Sequence, residues 1–521
     1  MKLKTKIDLI YSGGYNKKVE VSNLDNKIYL PNGIEAVEAE YKDSPIAEYN
    51  GNPFIETLPE LDDEETIIRK LMLNPIYSKE ERELSASVRL HIIHRLYQFF
   101  QPLPKHIEIW NMINTLVRQG YLARNPFDKE YKRYVNKTGQ EIINKTFNID
   151  GKTNFRTTAS SGLIIGFSGM GKTTTVNRVL SYIPQVIVHN YYNNQHFNQI
   201  QLTWLKLEAP HNSSLKALTL QFFMKIDELL GTENFRRYVL RNLSVDAMLP
   251  LMGKVAQNVG LGLLIIDELQ HLNIKGAKQI MNYFVTLINS FGVPIIFIGT
   301  PASYDFLQNE FRIARRVTGN GEIIWNNMDN NDEFELFLNG LWRFQWTKKE
   351  TPLTQRIIDL FYEETQGISD LIVKLFVNAQ HEAIVSGVEA LTEEVILKVA
   401  KEEFKLMKPM LDAIRSNNPY KAIKYEDLRR LEATNYNIHE FNESAIENKE
   451  LRKKSKVVKK ALNKDKLINF SSKKTKIDDL EDDDLRLLLE KGSKVGDTVY
   501  EVLLKNGLVD DLSFLDIGDV Q

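Results

Sequence analysis

The sequence contains no cysteine among its 521 residues. This absence excludes disulfide bonds, thiolate zinc sites and cysteine nucleophiles. His91 and His94 are the one histidine pair worth considering as metal ligands. Because no set of carboxylates accompanies them, their spacing is more typical of a helix face than of a metal site.

Long apolar runs and a large charge excess are also missing. Runs such as VPIIFIG are too short to cross a bilayer, and the opening MKLKTKIDLIYSGG lacks the apolar stretch of a signal peptide. We therefore expect a cytoplasmic protein with no membrane partner. With a net charge of −2, 43% hydrophobic and 26% charged residues, the composition is that of a soluble globular protein, so any basic surface must be local.

The stretch GLIIGFSGMGKTTTVNRV, residues 162–179, contains a match to the phosphate-loop pattern G-x-x-x-x-G-K-[ST]. An apolar run precedes the glycines and a helical pattern follows them, so backbone N–H groups and a helix N-terminus point at one anion. Lys172 is expected to reach the β- and γ-phosphates, and the Thr173 hydroxyl to hold Mg²⁺. A glycine-rich turn that binds nothing is the alternative. The predicted nucleotide-binding residues here are Gly166, Phe167, Ser168, Gly169, Met170, Gly171, Lys172, Thr173 and Thr174.

A second candidate catalytic segment is LLIIDE, an apolar run that is followed by Asp267 and Glu268. In a doubly wound sheet the C-terminal end of such a strand lies beside the phosphate loop. We expect Asp267 to orient Mg²⁺ through water, and Glu268 to polarise the attacking water. Two solvated acids at a strand end are the alternative.

Thr300 and a group of arginines extend the candidate site. Thr300 ends the run VPIIFIGT, where it is placed to sense the γ-phosphate, although Thr followed by Pro301 is equally typical of a helix start. The arginines Arg312, Arg315 and Arg316 follow in a helical pattern. In a ring of subunits, Arg315 or Arg316 is expected to complete a neighbour's catalytic site. A solvated helix end is the alternative.

The chain divides by pattern into an α/β part and an all-helical part. Between about residues 155 and 300, short β-branched runs alternate with helical patterns, which predicts a parallel sheet with helices on both faces. Three helices with start signals follow residue 350: LTQRIIDLFYEETQG, LIVKLFVNAQHEAIVSG and VILKVAKEEFKLMKPMLDAIRS. We predict an N-terminal partner-docking region at 1–130, an ATPase core at 131–348, a helical lid at 349–420, and a charged, partner-binding C-terminal extension at 421–521.

Blocks of like charge characterise the C-terminal extension. Residues 449–476 are dense in lysine, and the acidic run IDDLEDDDLRLLLEKG follows. Such blocks are typical of a solvated linker, and a contact with phosphate backbone or a partner is the alternative.

These features together resemble AAA+ ATPases, and further segments resemble the TnsC family, the AAA+ regulators of Tn-seven-type transposons. The resemblance runs from about residue 40 to 430. It implies a P-loop AAA+ core with a parallel sheet, an all-helical lid, and N- and C-terminal extensions. The segments that carry it are YNGNPFIETLP (49–59), RQGYLARNP (118–126), IDELQHL, IGTP, RIARR, QGISDLIVKLF (366–376) and KPMLDAIR (408–415).

The resemblance implies an ATPase that uses ATP and Mg²⁺ to regulate DNA transposition. Such a protein assembles as a ring or filament on double-stranded DNA of any sequence, and connects a target-site-binding protein to the transposase subunits. The implied location is the bacterial cytoplasm, at the nucleoid when DNA is bound. AAA+ lids often place an arginine near the γ-phosphate, whereas QGISDLIVKLF has none and Lys374 is its nearest cation.

The contact with DNA is expected to come from residues that line the pore of such an assembly. Lys275 and Lys278, just after the acidic pair, are the candidates, and two solvated lysines are the alternative. Two other functions stay open. One is an AAA+ loader or remodeller that acts on DNA without transposition, and the other is a P-loop signalling switch that does not bind DNA.

Overall fold

A computed structural model of the chain describes residues 26–144, 157–211, 213–239, 245–272, 274–308, 315, 318–416 and 425. The chain divides into two compact units, Met1–Asn437 and Ile438–Gln521. All described residues belong to the first unit. The lysine-rich segment 449–476 lies outside the described residues.

Nine strands form two sheets in the described part of the chain. The first sheet has the order β1-β2-β4-β5, and the second has the order β6-β7-β8-β3-β9. The strands are β1 (Lys27–Tyr29), β2 (Glu35–Glu38), β3 (Ser161–Gly166), β4 (Val186–Tyr192), β5 (Gln195–Leu202), β6 (Trp204–Glu208), β7 (Leu263–Asp267), β8 (Ile295–Gly299) and β9 (Glu322–Trp325).

The five-stranded sheet is parallel throughout. Successive residues of β7 enter different hydrophobic clusters, Leu263 and Ile265 on one face and Leu264 and Ile266 on the other. Because both faces are covered, the strand is apolar at each position from Leu263 to Ile266 and not at alternate ones, and only its last residue, Asp267, is polar. The predicted α/β core with a parallel sheet is therefore confirmed.

Fifteen α-helices are present in the described residues. Those of the N-terminal and central parts are α1 (Pro53–Glu56), α2 (Glu64–Leu71), α3 (Ala86–Ile92), α4 (Pro104–Leu122), α5 (Lys129–Ile143), α6 (Lys172–Leu180), α7 (Leu215–Leu230), α8 (Val245–Asn258), α9 (Ile274–Phe291), α10 (Ala302–Gln308) and α11 (Asp332–Trp342). The lid helices are α12 (Gln355–Thr365), α13 (Ser369–Val385), α14 (Glu393–Glu403) and α15 (Lys408–Arg415). Short 3₁₀ helices occur at Ala47–Tyr49, Lys79–Glu83, Ile93–Gln98 and Leu269–His271, and a π-helical turn at Phe235–Val239.

The run QVIVHN forms a strand as its pattern predicts, but it lies outside the parallel sheet. This strand, β4, pairs antiparallel with β5, and Tyr192 stands opposite Gln195. The two turn residues Asn193 and Asn194 have φ of 48° and 61°, the left-handed conformation that a two-residue hairpin turn requires. This hairpin joins the four-stranded sheet through the parallel pair β2 and β4.

The third predicted lid helix is two helices. Helix α14 ends at Glu403, and α15 begins at Lys408. Pro409 occupies the first turn of α15, where its missing N–H leaves no helical bond unmade. In a single helix running on from α14, Pro409 would have no N–H to donate to the carbonyl one turn earlier. The chain therefore turns between residues 403 and 408.

Helix α4 joins the N-terminal part to the parallel sheet. Arg124, just past its end, is buried and donates to the carbonyls of Gly120 at 2.7 Å and Leu261 at 2.7 Å. Gly120 allows the close approach, since a Cβ there would lie 2.2 Å from Pro294 Cγ. The segment RQGYLARNP therefore packs directly against the start of β7 and the loop before β8.

The N-terminal part also contacts the lid. Arg89 on α3 is 1% exposed, forms a two-pronged ion pair with Glu389 at 2.6 and 2.7 Å, and donates to the carbonyl of Trp346 at 2.9 Å. Charged groups at such burial are stable only when paired and hydrogen-bonded. The same part of the chain thus holds both the sheet and the lid.

None of the helices in the described residues has the length and apolar character that crossing a membrane requires.

Candidate nucleotide-binding and hydrolysis site

The parallel sheet brings the sequence-predicted chemical residues to one edge. Strands β3, β7 and β8 are neighbours in the order β7-β8-β3, and parallel strands end at the same side. The phosphate loop follows β3, Asp267 ends β7, and Thr300 follows β8. This is the edge at which doubly wound sheets bind ligands.

Three glycines give the phosphate loop its shape. Gly169 and Gly171 have φ of 84° and 89°, and Gly171 is the N-cap of α6. Glycine adopts these left-handed angles without steric cost. Gly166 has a different role, because a Cβ there would lie 2.3 Å from the carbonyl oxygen of Trp325 on β9. The loop therefore connects the end of a buried strand to a helix whose N-terminus is open to an anion.

The Lys172 side chain folds back over this loop. Its ammonium donates to the carbonyl of Gly166 at 2.7 Å and to that of Phe167 at 2.8 Å. The side chain is 9% exposed. These bonds hold a positive charge beside the loop, where a phosphate group would accept from the same ammonium.

Thr173 and Asp267, the two residues predicted to serve Mg²⁺, lie together. The Thr173 hydroxyl donates to Asp267 Oδ2 at 2.9 Å, and Asp267 is 3% exposed. Mg²⁺ prefers oxygen ligands and is held by one or two side chains together with substrate phosphates and water. This hydroxyl and carboxylate fit that requirement. Among the described residues no group of three or more His, Asp or Glu side chains forms a metal site of its own.

Lys206 is a site residue that sequence reasoning missed. Its ammonium lies 2.9 Å from Asp267 Oδ2, the oxygen that also accepts from Thr173, and it donates to Asn177 Oδ1 on α6 at 3.1 Å. Lys206 therefore offsets part of the Asp267 charge and joins β6 to the phosphate-loop helix. A lysine inside the run LTWLKL was the available signal, but only the pairing of β6 with β7 places it beside Asp267.

Glu268 and Thr300 are joined through Gln270, which sequence reasoning also missed. The Gln270 side-chain amide donates to Glu268 Oε2, and its oxygen accepts from the Thr300 backbone N–H at 3.2 Å. Glu268 has φ of 56°, a left-handed conformation that is unusual for a residue with a side chain. The predicted water-polarising residue thus has a fixed backbone turn and a bonded carboxylate.

The lid touches the phosphate loop at the start of α13. The Asp370 N–H donates to the carbonyl of Gly169 at 3.0 Å, and a Cβ on Gly169 would lie 3.1 Å from Ile368 Cγ2. Lys374, one turn further on, donates to Asp370 at 2.6 Å and is exposed. The lid therefore contributes backbone and apolar contacts to the loop, and its nearest predicted cation is paired with Asp370.

Several predicted residues are exposed or lie outside the described part of the chain. Arg315 is exposed, whereas Arg312 and Arg316 lie outside the described residues. The side chains of Lys275 and Lys278, in the first turns of α9, also lie outside them. The His94 ring stacks on Tyr97 and takes part in no metal cluster among the described residues.

Comparison with known families gives one match. Residues 155–307 match the family model described as an AAA domain. The match spans β3 with the phosphate loop, β7 with the acidic pair, and β8 with Thr300. No curated protein sequence matches the chain.

Solved structures with similar folds include an Orc1 protein in complex with DNA, a Cdc6 protein and an ORC bound to DNA. The Aeropyrum pernix Orc1 protein in complex with DNA is 16% identical with a TM-score of 0.34, over 53% of this chain and 65% of that chain, so this chain spans less than two thirds of its length. Cdc6p from Pyrobaculum aerophilum is 14% identical with a TM-score of 0.34, over 54% and 70%. The Drosophila ORC bound to DNA is 12% identical with a TM-score of 0.31, over 60% and 77%.

The family match and the geometry agree on the central part of the chain. A phosphate loop, an acidic pair and a threonine lie at one edge of a five-stranded parallel sheet, and a helical lid contacts the loop. An AAA domain implies nucleotide binding with Mg²⁺ and nucleotide hydrolysis in general. Residues 155–307 therefore form an AAA domain with a phosphate loop, which the chain combines with an N-terminal region of helices and two short strands and with a C-terminal helical lid.

Proposed function

We propose that the chain is an ATP-dependent regulator of DNA transposition. In this function it oligomerises on double-stranded target DNA and connects a target-site-binding protein to transposase subunits. The observation that carries the ATPase part is the bond between Thr173 and Asp267 beside the phosphate loop. The resemblance to the TnsC family carries the transposition part.

The positions of the resembling segments support this proposal. Asn52 caps α1 and donates to the carbonyl of Tyr121 at 2.8 Å, and Arg118 donates to the carbonyl of Pro59. The segments YNGNPFIETLP and RQGYLARNP are therefore packed against each other. In the lid, Arg415 of KPMLDAIR forms an ion pair with Asp412 at 3.0 Å. A resemblance that extends over packed segments outside the AAA domain favours a specific family over the general AAA+ class.

ATP hydrolysis in this proposal uses residues that the sheet brings together. Lys172 and the loop N–H groups would bind the phosphates, and Thr173 and Asp267 would hold Mg²⁺, which would supply positive charge against the phosphates. Glu268 polarises the attacking water, and Thr300 senses the γ-phosphate. Arg315 and Arg316 are assigned to a neighbouring subunit's site, where their charge stabilises the transition state.

DNA binding is expected to need ATP and to be independent of sequence. In the ATP state the protein should coat any duplex, with affinity that falls steeply as salt rises because each neutralised phosphate releases counterions. ADP should weaken this binding. Changing both Lys275 and Lys278 to Glu should weaken binding on all sequences alike and flatten the salt dependence by about one to two units of slope, at roughly one unit per contact. Fluorescence anisotropy over a salt series measures both quantities.

A truncated chain provides the comparison for the lysine variant. Removing residues 449–521 deletes the lysine-rich segment and leaves the described residues intact. If the truncation abolishes DNA binding while the double lysine variant binds normally, the pore assignment of Lys275 and Lys278 is wrong.

The assignment of the arginines to a neighbouring site predicts complementation between two inactive variants. Arg315→Ala/Arg316→Ala protein keeps its own phosphate loop, and Lys172→Ala protein keeps its arginines. In a head-to-tail assembly, an equal mixture restores about one interface in four by random mixing. The steady-state ATPase rate of the mixture should exceed that of either variant alone. No gain in mixed oligomers, confirmed by cross-linking of differently tagged subunits, would contradict a shared site.

The two alternative functions give different results in binding assays. A loader or remodeller shares the ATP-dependent assembly on DNA but does not capture a transposase, so a pull-down with purified DDE-type transposase separates it from a transposition regulator. A signalling switch binds nucleotide without assembling on DNA. The resemblance of segments outside the AAA domain to the TnsC family favours the first function over both.

A further inference from the structure

We infer that Gln270 is a positioning residue for ATP hydrolysis, which links the Glu268 carboxylate to the end of strand β8. The inference rests on the proposed role of Glu268 in polarising water. Gln270 is not part of the phosphate loop or the acidic pair. Its side chain is half-buried in the single turn Leu269–His271, directly after the acidic pair.

The two ends of the Gln270 amide have different partners. The NH₂ group donates to Glu268 Oε2, and the oxygen accepts from the Thr300 N–H at 3.2 Å. A side-chain amide is suited to such a bridge because it has a donor and an acceptor in one plane. Neither a carboxylate nor an apolar side chain of the same length can make both bonds. The residue type and its contacts therefore both indicate a bridge.

The main-chain contacts of Glu268 fix its backbone, so the bond from Gln270 is what orients its side chain. Glu268 has φ of 56°, its N–H donates to Asp267 Oδ1 at 2.9 Å, and its carbonyl accepts from the His271 N–H at 3.0 Å. These contacts fix the Glu268 main chain. The main-chain contacts do not restrict the side-chain torsions of Glu268. Among the described residues, the hydrogen bond from Gln270 is the one that holds its carboxylate.

The other end of the bridge reaches the strand assigned to phosphate sensing. Thr300 is 5% exposed and follows β8, which lies between β7 and the strand of the phosphate loop. A shift of this strand end when the γ-phosphate arrives or leaves would move the Gln270 oxygen, and through it the amide that holds Glu268. The bridge thus couples the position of Glu268 to the nucleotide state.

The test compares three single substitutions for ATP binding and for hydrolysis. Gln270→Met keeps the length of the side chain and removes both bonds, and Gln270→Glu keeps the acceptor for Thr300 but places a carboxylate against Glu268. Both should lower kcat by about 10- to 100-fold, as expected for a hydrogen bond to a charged group, with the Kd for ATP unchanged within about twofold. Gln355→Met is the matched control, because Gln355 is exposed in the lid and bonds to Asp359 at 3.1 Å; it should change neither.

A double variant separates positioning from a general structural effect. If Gln270 acts through Glu268, adding Gln270→Met to Glu268→Gln should produce no further loss of hydrolysis, because residues that act as a unit are not additive. An added loss of the same 10- to 100-fold would overturn the inference. Wild-type kcat in both Gln270 variants would also overturn it. If Glu268→Gln itself hydrolyses ATP at the wild-type rate, it is the proposed role of Glu268 that fails.

Discussion

Replacing Lys172 with alanine is expected to weaken ATP binding by about 100-fold or more. The variant loses a buried ammonium that lies within 2.8 Å of two loop carbonyls and is the lysine of the phosphate-loop motif. Losing charge-assisted bonds to phosphate costs about 3 kcal/mol, which corresponds to about 100-fold in Kd. Equilibrium titration with a fluorescent ATP analogue measures the change.

The control for this variant is a lysine outside the site. Lys398→Ala removes an exposed lysine of the lid that pairs with Glu382 at 2.6 Å. It should bind ATP as the wild type does. Binding by Lys172→Ala with wild-type affinity would show that this loop is not the phosphate site.

Replacing Glu268 with glutamine is expected to leave ATP binding intact and to slow hydrolysis by about 10²- to 10⁴-fold. Glutamine keeps the size of the side chain and removes the negative charge that polarises water, and loss of a general base has this magnitude. The substitution leaves the bond between Thr173 and Asp267 in place. Single-turnover hydrolysis separates the chemical step from product release.

ATP binding must be measured on the same Glu268→Gln protein, because the combination of binding and turnover decides the role of Glu268. Normal binding with slow turnover assigns Glu268 to the chemical step. Wild-type turnover would mean that another group polarises the water. A loss of binding would mean that Glu268 holds the nucleotide and not the water.

Local patterns in the sequence were sufficient for the main parts of the fold and of the site. The runs that became β3, β7 and β8 are apolar because the middle of a parallel sheet is covered on both faces, and the phosphate loop has a pattern of glycines that few other structures require. Thr173 and Asp267 were both predicted to serve one Mg²⁺, Asp267 through water, because the motif of each ends at the same edge of the sheet. The structure places their side chains 2.9 Å apart, and the role in holding Mg²⁺ stays a prediction.

Features that depend on strand order were not predictable in the same way. Strand β9 has only four residues. Its place at the edge of the sheet, beside β3, is apparent only from the pairing of Leu163 with Glu322. Lys206 is one lysine among many until β6 lies beside β7. Gln270 follows the acidic pair in sequence, but its bond to Thr300 depends on the neighbouring strand β8. Such contacts come from topology, which residue spacing does not determine.

Sedimentation on duplex DNA with the two phosphate-site variants tests the central claim most directly, namely that the ATP state of this AAA+ domain assembles on DNA. With ATP present, Glu268→Gln should form large, stable complexes on duplexes of unrelated sequence, because ATP stays bound. Lys172→Ala should form none, and wild-type protein with ADP should form few. Equal assembly of both variants, or equal assembly with and without ATP, would contradict the account.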